Sequence, residues 1–326
     1  MTSNYIFFSI DNSFYNALYH GFSEKENLQL IEMDSVFKVP KFIRRLSNWK
    51  LPFPWIRAEI MGELYNYSRI SKLINIKPVP INTKNYYIIY ARLLEIYGPG
   101  LFTYLKKLDK DGIYICYLGD VVNSFTFNIR DINKKFDKVF SCDRKDAKKN
   151  NMLFLQQPYS LIKPEKKDIK YDVFFVGSAK NRLDKIILAY ELLKEKGFKC
   201  IFYITDVEED KKIYTQEIHY NQYLKYEEVL SFLFQSKCIL EILQGDADST
   251  TARYSEAMVY KKYLLTDSKF LRERKEKPKN IICFNYSDDT DFERIRCTLD
   301  FDNTKYVEEL SIDTMIRALE KIIYYS

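Results

Sequence analysis

Short apolar runs alternate with longer helical patterns twice along this chain of 326 residues. The alternation is clearest in the second half, where apolar runs at Asp172–Val176, Lys199–Thr205 and Cys238–Leu243 are followed by another at Tyr263–Thr266. Such alternation is typical of βα units that build a mainly parallel sheet. The chain is also long enough for two hydrophobic cores. We therefore expect an α/β fold with two domains, each built on a parallel sheet.

The first half shows the same alternation. Its apolar runs predict strands near Tyr5–Ile10, Leu28–Met33, Tyr86–Tyr90, Ile113–Leu118, Lys138–Ser141 and Met152–Gln156. Helices are expected near Phe14–Tyr19, Trp55–Leu73, Gly100–Leu108 and Asp143–Asn150, and in the second half at Leu183–Lys196, Tyr226–Gln235, Thr251–Lys261 and Ile312–Tyr324. A polar, Pro-containing stretch from Gln157 to Lys167 predicts a surface linker. We place one domain at residues 1–160 and the other at residues 161–326.

Composition excludes several classes of protein. With 46% hydrophobic residues and a net charge of +6, the chain has neither the low hydrophobicity nor the high charge of a disordered protein. No dense basic stripe or known nucleic-acid-binding module is visible, so nucleic acid is not expected as a partner. No run approaches the ~20 apolar residues that span a bilayer, and no signal peptide is visible. The six cysteines include no Cys-x-x-Cys pair, which indicates reduced thiols in a cytoplasmic protein without a zinc site.

The stretch from Cys238 to Asp267 is the most informative for function. Its pattern predicts a buried strand, a polar loop, a helix and a second buried strand. In open α/β sheets, ligands bind outside the carboxyl ends of the strands, where such loops lie. Hydroxyl groups and free backbone N–H groups at the start of a helix suit phosphate oxygens. The candidate ligand-binding residues of this loop are Gln244, Gly245, Ser249, Thr250 and Thr251.

Two charged residues follow on the predicted helix. Arg253 supplies a planar cation that can bind phosphate in a bidentate way. Glu256 lies one turn later on roughly the same face, where a carboxylate can accept both hydroxyl groups of a ribose. A solvated helix face is the alternative interpretation of this pair. If Glu256 binds ribose, Glu256→Ala should weaken nucleotide binding in a protein that still folds.

A second basic loop follows the strand that begins near Asp172. The sequence Phe174-Phe-Val-Gly-Ser-Ala-Lys-Asn-Arg182 places a glycine at the strand end and two cations after it. Gly177 permits a close backbone approach or a positive φ angle. Lys180 and Arg182 could neutralise a diphosphate, with exposed surface charge as the alternative interpretation.

The segment around Glu256 resembles the donor-binding signature of GT-B glycosyltransferases, in which two acidic residues eight positions apart flank such a loop and helix. Here the pair is Asp248 and Glu256, with Glu256-Ala-Met258 matching the second acidic position and its neighbours. The whole span 171–267 resembles bacterial transferases of capsular and lipopolysaccharide synthesis. The resemblance implies two Rossmann-like domains that face each other across a cleft, an acceptor-binding first domain and a nucleotide-sugar donor in the second. It also implies that Glu256 holds the ribose and that Asp248 lies near the donor sugar.

Asp246-Ala-Asp248 admits a different mechanism. An Asp-x-Asp after an apolar strand is also the metal-binding signature of GT-A glycosyltransferases, where two carboxylates hold a divalent cation on the donor diphosphate. Metal-dependent transfer is therefore one alternative, and a non-catalytic nucleotide-binding partner subunit is another. For the metal-free reaction, Asp248 is one catalytic candidate. Asp11 and Asp120, which follow predicted strands, are the others, because either could deprotonate an acceptor hydroxyl.

Residues 37–57 form an unusual basic and aromatic segment. They contain six cations, no acidic residue and both tryptophans of the chain. Basic residues interleaved with aromatic ones suit the interface of an anionic membrane. The segment is therefore expected to make a peripheral membrane contact or to dock a lipid-linked acceptor, unless it packs on the first domain.

These patterns together predict a glycosyltransferase of the hexosyltransferase type. It would move a sugar from a nucleotide sugar, with UDP as the expected nucleotide, to a hydroxyl of a glycan or lipid-linked acceptor in surface polysaccharide synthesis. No cofactor and no metal is predicted, because the cations and the helix end would stabilise the departing diphosphate. The expected location is the cytoplasm, at the inner face of the membrane.

Overall fold

A computed structural model describes residues 2–24, 26–34, 70, 74, 76, 83–163, 165, 167–244, 249–286 and 290–325. The chain divides into two compact units, residues 1–155 and residues 156–326. The basic segment 37–57 and most of the helix predicted at Trp55–Leu73 lie outside the described residues. No helix in the described part of the chain is both long enough and apolar enough to cross a membrane.

The first unit is built on a six-stranded sheet. Its strands are β1 (Thr2–Asp11), β2 (Leu28–Asp34), β3 (Thr83–Tyr90), β4 (Ile113–Leu118), β5 (Lys138–Ser141) and β6 (Leu153–Phe154). They pair in the order β2-β1-β3-β4-β5-β6, and each of these pairings is parallel. The described helices are Ser13–Leu18, Arg92–Tyr97, Pro99–Leu108, Ile129–Lys135 and Arg144–Lys149. The six predicted strands are therefore confirmed to within a few residues.

Tyrosine supplies much of the core of the first unit. The rings of Tyr87 and Tyr114, on neighbouring strands, stack with centroids 4.9 Å apart. Buried tyrosines need partners for their hydroxyl groups, and the Tyr114 hydroxyl donates to the Leu105 carbonyl at 2.8 Å. On the other face of the sheet, the Tyr15 and Tyr90 hydroxyls form a hydrogen bond with each other. These phenols join the sheet to its helices on both faces.

The second unit has the same architecture with a second six-stranded sheet. Its strands are β7 (Tyr171–Ser178), β8 (Cys200–Thr205), β9 (Ile218–Tyr220), β10 (Ser236–Glu241), β11 (Tyr263–Thr266) and β12 (Ile281–Cys283). Their order is β12-β11-β10-β7-β8-β9, again with parallel pairings. The described α-helices are Leu183–Glu195, Tyr226–Phe234, Ala252–Val259, Lys269–Glu273, Thr304–Glu309 and Ile312–Tyr325. Each predicted strand and helix of this half is present.

The stretch predicted to be a surface linker is partly buried and belongs to the second unit. Tyr159 is only 4% exposed, and its backbone N–H donates to the Leu310 carbonyl at 2.9 Å. The ring of Tyr159 also packs edge-on against that of Tyr260. Because an aromatic ring follows Gln157-Pro158, the chain gains more by packing this segment than by solvating it. The linker prediction was wrong for residues 158–160, which are buried.

Candidate functional site

The two loops predicted to bind phosphate follow neighbouring strands. From β7 the chain continues to β8 on one side of the sheet, whereas from β10 it continues to β11 on the other side. The connections therefore diverge between β7 and β10, and their loops leave a crevice at the carboxyl ends of these strands. Such a switch point is where open α/β sheets bind their ligands. The basic loop 179–182 follows β7, and the loop that leads to the helix Ala252–Val259 follows β10.

A cavity of about 220 Å³ lies at this switch point. Apolar walls come from both strands, and four polar side chains converge on the same space. Convergent polar groups in an otherwise apolar pocket are typical of small-molecule sites. The lining residues are Phe175, Val176, Arg182, Leu240, Glu241, Ile242, Leu243, Thr251, Ala252 and Arg253.

Arg182 ties the two loops together. Its guanidinium donates to the Ser178 carbonyl through Nε at 3.3 Å and Nη2 at 3.2 Å, and its Nη1 donates to the Ile242 carbonyl. Burial lowers the pKa of Arg182, and the nearby Asp267 carboxylate opposes that shift. Arginine has five N–H donors, so two remain for a ligand in the cavity.

Gly177 makes room for this arginine. A Cβ atom at position 177 would lie 3.1 Å from Arg182 Nη2, which is closer than nearly all real contacts of that kind. The sequence allowed either a close approach or a positive φ at this glycine. The close approach is what the structure shows, and the atom that approaches belongs to the protein's own guanidinium.

Lys180 is exposed and bridges to the second loop. Its Nζ donates to Gln244 Oε1 at 3.1 Å, and Gln244 Nε2 donates to Asn181 Oδ1 at 3.5 Å. The backbone of Lys180 has a φ of 42°, in the left-handed region. That conformation costs a non-glycine residue about 1–3 kcal/mol and is often found at functional sites. The structure therefore brings Lys180 and Gln244 of the two loops together, and their contact with a ligand stays a prediction.

The hydroxyl groups of the second loop are largely used within the protein. Thr251 caps the helix Ala252–Val259, since its Oγ1 accepts from the backbone N–H of Arg253 at 3.1 Å and of Tyr254 at 3.4 Å. Thr250 Oγ1 accepts from Gln156 Nε2 at 2.5 Å. The Thr251 cap therefore engages both its own hydroxyl and two of the N–H groups at the start of this helix. Ser249 is half-buried, and Gly245 lies outside the described residues.

Glu241 is a site residue that the sequence did not single out. It is 4% exposed at the end of β10 and accepts from the hydroxyls of Thr251 and Thr266, the latter at 2.5 Å. Burial raises the pKa of the Glu241 carboxyl, and the two hydroxyl donors oppose that shift. An acidic residue inside the apolar run Cys238–Leu243 was the available signal, because a buried carboxylate needs dedicated partners.

Glu241→Gln should change how stability depends on pH. The pKa of the folded carboxyl is higher than its unfolded value, so the folded protein binds more protons between the two values. The contribution of Glu241 to stability is therefore largest below about pH 4.5 and falls as pH rises through the folded pKa. We expect the melting temperature of Glu241→Gln, relative to the wild type, to be higher at pH 7 than at pH 5. If the difference in melting temperature between the variant and the wild type were the same at pH 5 and pH 7, the pKa of Glu241 would not be raised in the folded protein. Glu308→Gln, at an exposed side chain, is the control.

Arg253 and Glu256 form a buried ion pair. Arg253 Nη1 lies 2.5 Å from Glu256 Oε2, with side chains that are 19% and 0% exposed. The alternative interpretation as a solvated helix face was therefore wrong. Burial raises the pKa of Glu256, while Arg253 and the Tyr226 hydroxyl oppose that shift. Arg253 lines the cavity, whereas its partner Glu256 does not.

Two tyrosines complete this buried network. The Tyr226 hydroxyl donates to Glu256 Oε1 at 2.7 Å, and the hydroxyls of Tyr226 and Tyr159 lie 2.6 Å apart. Both oxygens of the Glu256 carboxylate are therefore engaged by protein groups. The predicted ribose contact of Glu256 would need these groups to be displaced. In this structure Glu256 instead holds Arg253 against the cavity.

The acidic pair Asp246 and Asp248 lies outside the described residues, so the structure gives no position for either side chain. In the part of the chain that is described, no three His, Cys, Asp or Glu side chains cluster as metal ligands would. All six cysteines are described, and none forms a disulfide.

The two candidate bases of the first unit lie at the carboxyl edge of its sheet. Asp11 ends β1, is exposed and accepts from Asn16 Nδ2 at 3.3 Å. Asp120 follows β4, lies 3.6 Å from Arg92 Nη2 and accepts the backbone N–H of Val121 at 2.8 Å. Asp120 is therefore already paired with a cation, whereas Asp11 has the more open environment.

Glycosyltransferases are among the solved structures similar to this chain. An α-glucosyltransferase in complex with UDP and a 13-mer DNA with a central A:G mismatch is 13% identical over 99% of this chain and 100% of that chain, with a TM-score of 0.62. Another α-glucosyltransferase complex, with UDP-glucose and DNA containing an abasic site, is 14% identical over the same shares, with a TM-score of 0.62. A variant of S. aureus TarM, in complex with fondaparinux, α-GlcNAc-glycerol and UDP, is 16% identical over 80% of this chain and 58% of that chain, with a TM-score of 0.50.

No model of a protein family matches the sequence, and no curated protein matches it either. The TM-scores of 0.50 to 0.62 show a shared fold, at identities of only 13% to 16%. The chain therefore has the α/β fold of these glycosyltransferases, the GT-B fold of two Rossmann-like domains that the resemblance of residues 171–267 implied.

Proposed function

We propose that this chain transfers a sugar from a nucleotide sugar to a hydroxyl group. The observation that carries the proposal is the convergence of Arg182 and Arg253 on one cavity at the switch point of the second sheet, with Lys180 in the same loop as Arg182. The helix Ala252–Val259 begins at the same place, and the positive end of its dipole favours an anion. A nucleoside diphosphate is the ligand class that this arrangement suits best. The shared fold with enzymes bound to UDP supports UDP as the nucleotide.

In the proposed reaction, the bond between the anomeric carbon and the diphosphate oxygen breaks. A bond from that carbon to the acceptor oxygen forms, the acceptor hydroxyl loses its proton, and the nucleoside diphosphate leaves with the electron pair. Negative charge therefore develops on the diphosphate, where fixed cations and N–H groups stabilise the transition state. Asp11 and Asp120 are the proposed bases, and Asp248 is proposed to lie near the donor sugar. No metal ion is required in this scheme.

A hydroxyl of a glycan or of a lipid-linked intermediate in surface polysaccharide synthesis is the first candidate acceptor. It follows from the resemblance of residues 171–267 to polysaccharide-biosynthesis transferases, and S. aureus TarM, which was solved with glycan ligands, has a similar fold. This version of the proposal places the enzyme in the cytoplasm, with residues 37–57 at the inner face of the membrane.

A hydroxyl on DNA is the second candidate acceptor. The observation that favours it is coverage, because the α-glucosyltransferase bound to DNA matches this chain over 100% of its own length, whereas TarM matches over 58% of its length. The sequence analysis predicted no nucleic-acid partner, so this second candidate is supported by the structural comparison alone. Incubating the protein and UDP-sugars with a glycan primer, and separately with duplex DNA containing hydroxymethylated bases, would decide between the two acceptors.

Thermal shifts with UDP, GDP, CMP and dTDP test the donor site. We expect UDP to raise the melting temperature most, because similar structures were solved with UDP. A ligand at 100 times its Kd stabilises the folded state by about 2.7 kcal/mol. We also expect slow release of UDP from a UDP-sugar in the absence of acceptor. The absence of a shift with all four nucleotides would contradict the proposal.

Two further outcomes separate the alternative functions. A shift with UDP but no turnover of any UDP-sugar would indicate a non-catalytic nucleotide-binding subunit. Loss of turnover in EDTA with recovery in Mn²⁺ would show that the metal-free scheme is wrong and would assign Asp246 and Asp248 to a cation.

A further inference from the structure

Three successive helices of the first unit each have two lysines in the last turn. The helices Pro99–Leu108, Ile129–Lys135 and Arg144–Lys149 lead into β4, β5 and β6. Helices that connect parallel strands run back along the sheet, so all three end at its amino edge. The lysines in their last turns are Lys106, Lys107, Lys134, Lys135, Lys148 and Lys149. We call this set the lysine edge.

Contacts within the unit show that these helix ends are neighbours. Lys106 Nζ, on the first helix, lies 3.9 Å from Asp137 Oδ2 in the loop after the second helix. Asn133 Nδ2, in the second helix, donates at 2.8 Å to the carbonyl of Asn150, which ends the third helix. The three lysine pairs therefore form one continuous surface.

In the described part of the chain, no acidic side chain forms an ion pair with the exposed Lys134, Lys135, Lys148 or Lys149, whereas Asp137 pairs with Lys106. Asp109 Oδ2 accepts from Asn85 Nδ2 at 2.8 Å and from the Tyr87 hydroxyl at 3.1 Å. Asp137 Oδ2 accepts the backbone N–H of Tyr114 at 2.7 Å. Each carboxylate thus binds groups of the sheet.

The helix dipole explains only part of the pattern. One cation in the last turn is enough to interact with the carbonyl end of a helix. Here each helix has two, and Lys134, Lys135, Lys148 and Lys149 are all exposed. Asp11 and Asp120 lie at the carboxyl edge of the sheet, and the lysine edge lies at the opposite end. The proposed sugar transfer therefore does not explain why the lysines are there.

We propose that the lysine edge binds the first unit to an anionic lipid bilayer. Clusters of four to eight cations attract such a surface, at about 1 kcal/mol for each lysine that comes close to it. Leu108 is 52% exposed beside Lys107 and can enter the headgroup region. All six cations are lysines, whereas arginine is the usual residue for bidentate contacts to nucleic-acid phosphates. A line of helix ends suits a flat surface better than a groove that follows a duplex.

Sedimentation with lipid vesicles tests this proposal. The variant Lys134→Glu/Lys135→Glu/Lys148→Glu/Lys149→Glu is compared with Lys170→Glu/Lys269→Glu/Lys275→Glu/Lys279→Glu, which reverses four exposed lysines of the second unit. Vesicles of phosphatidylglycerol mixed with phosphatidylcholine are compared with phosphatidylcholine alone. We expect the first variant to bind the anionic vesicles at least about tenfold more weakly than the wild type. We expect the matched variant to remain within about threefold of the wild type.

Equal weakening by both variants would overturn the proposal, because net charge alone would then explain binding. Unchanged binding by the first variant would also overturn it and would direct attention to residues 37–57. If the first variant still bound vesicles but no longer bound duplex DNA, the proposal would also be wrong. The corresponding Lys→Gln variant replaces the first if the glutamates unfold the helix ends, and an unchanged melting-temperature shift with UDP confirms that the second unit is intact.

Discussion

Replacing Arg253 with alanine is expected to lower kcat/KM for the nucleotide sugar by about 100- to 1000-fold. Arg253 lines the cavity, and its partner Glu256 is fully buried, so the guanidinium is held in place before the donor arrives. A fixed cation stabilises developing charge more than a mobile surface cation does. The proposed reaction develops its charge on the diphosphate that leaves. The loss should therefore appear mainly in kcat.

Three matched variants make this result specific. Arg253→Lys keeps the charge but loses the planar fork, and we expect it to recover only part of the activity. Arg253→Ala/Glu256→Gln removes the carboxylate that the single variant leaves unpaired, so it separates loss of the cation from loss of stability. Arg317→Ala is the control, because Arg317 is 63% exposed on the last helix. If Arg253→Ala changed kcat/KM no more than Arg317→Ala does, Arg253 would not contact the diphosphate.

The fold could be predicted from the sequence because its signals are local. Apolar runs such as Ile113–Leu118 and Tyr263–Thr266 were located to the residue, since a buried parallel strand is apolar on both faces. The short helices Arg92–Tyr97 and Ile129–Lys135 were missed. Ile129–Lys135 has the usual N-cap signal in Asn128, which accepts from the backbone N–H of Arg130, but it buries only Ile132 and so lacks a clear apolar stripe.

The candidate site could be predicted only in part, because its decisive contacts join distant parts of the chain. The sequence placed Lys180 and Arg182 in one loop and Arg253 at the start of a helix that follows a second loop, and the parallel sheet brings these segments together. It could not show that three N–H groups of Arg182 donate to backbone carbonyls, or that one of these carbonyls belongs to Ile242, 60 residues away. It also could not show that Glu256 is buried against a tyrosine 30 residues away.

The lysine edge, too, could be predicted only in part from the sequence. Three Lys-Lys pairs can be read directly from the sequence, where each is explained as a favourable residue choice at a helix end. They become one surface only because β4, β5 and β6 are parallel neighbours, which places the three helix ends at one edge. A charge pattern that repeats once in each βα unit is therefore worth testing as a surface whenever the sheet is parallel.

Glu256→Ala is expected to destabilise the second unit by about 3–5 kcal/mol, a larger effect than the sequence alone predicted. The carboxylate is 0% exposed and accepts from both Arg253 and Tyr226. Its removal leaves a partly buried guanidinium without its counter-ion and opens a small cavity. Urea denaturation measures the effect. The sequence analysis expected Glu256→Ala to weaken nucleotide binding in a stably folded protein. From the structure, we instead expect this variant to lose both stability and nucleotide binding.

Graded variants distinguish a buried pair from a surface pair. Tyr226→Phe removes one hydrogen bond to a charged group and should cost about 1.5–3 kcal/mol. Arg253→Met/Glu256→Leu removes both charges and should be more stable than Glu256→Ala, because apolar residues of similar size often replace a buried ion pair without loss. Glu308→Ala, at a side chain that is 68% exposed, is the control. A free energy of unfolding for Glu256→Ala within about 0.5 kcal/mol of the wild type would mean that the carboxylate is solvated. Glu256 would then be free to meet a ribose directly, and its role in holding Arg253 would be lost.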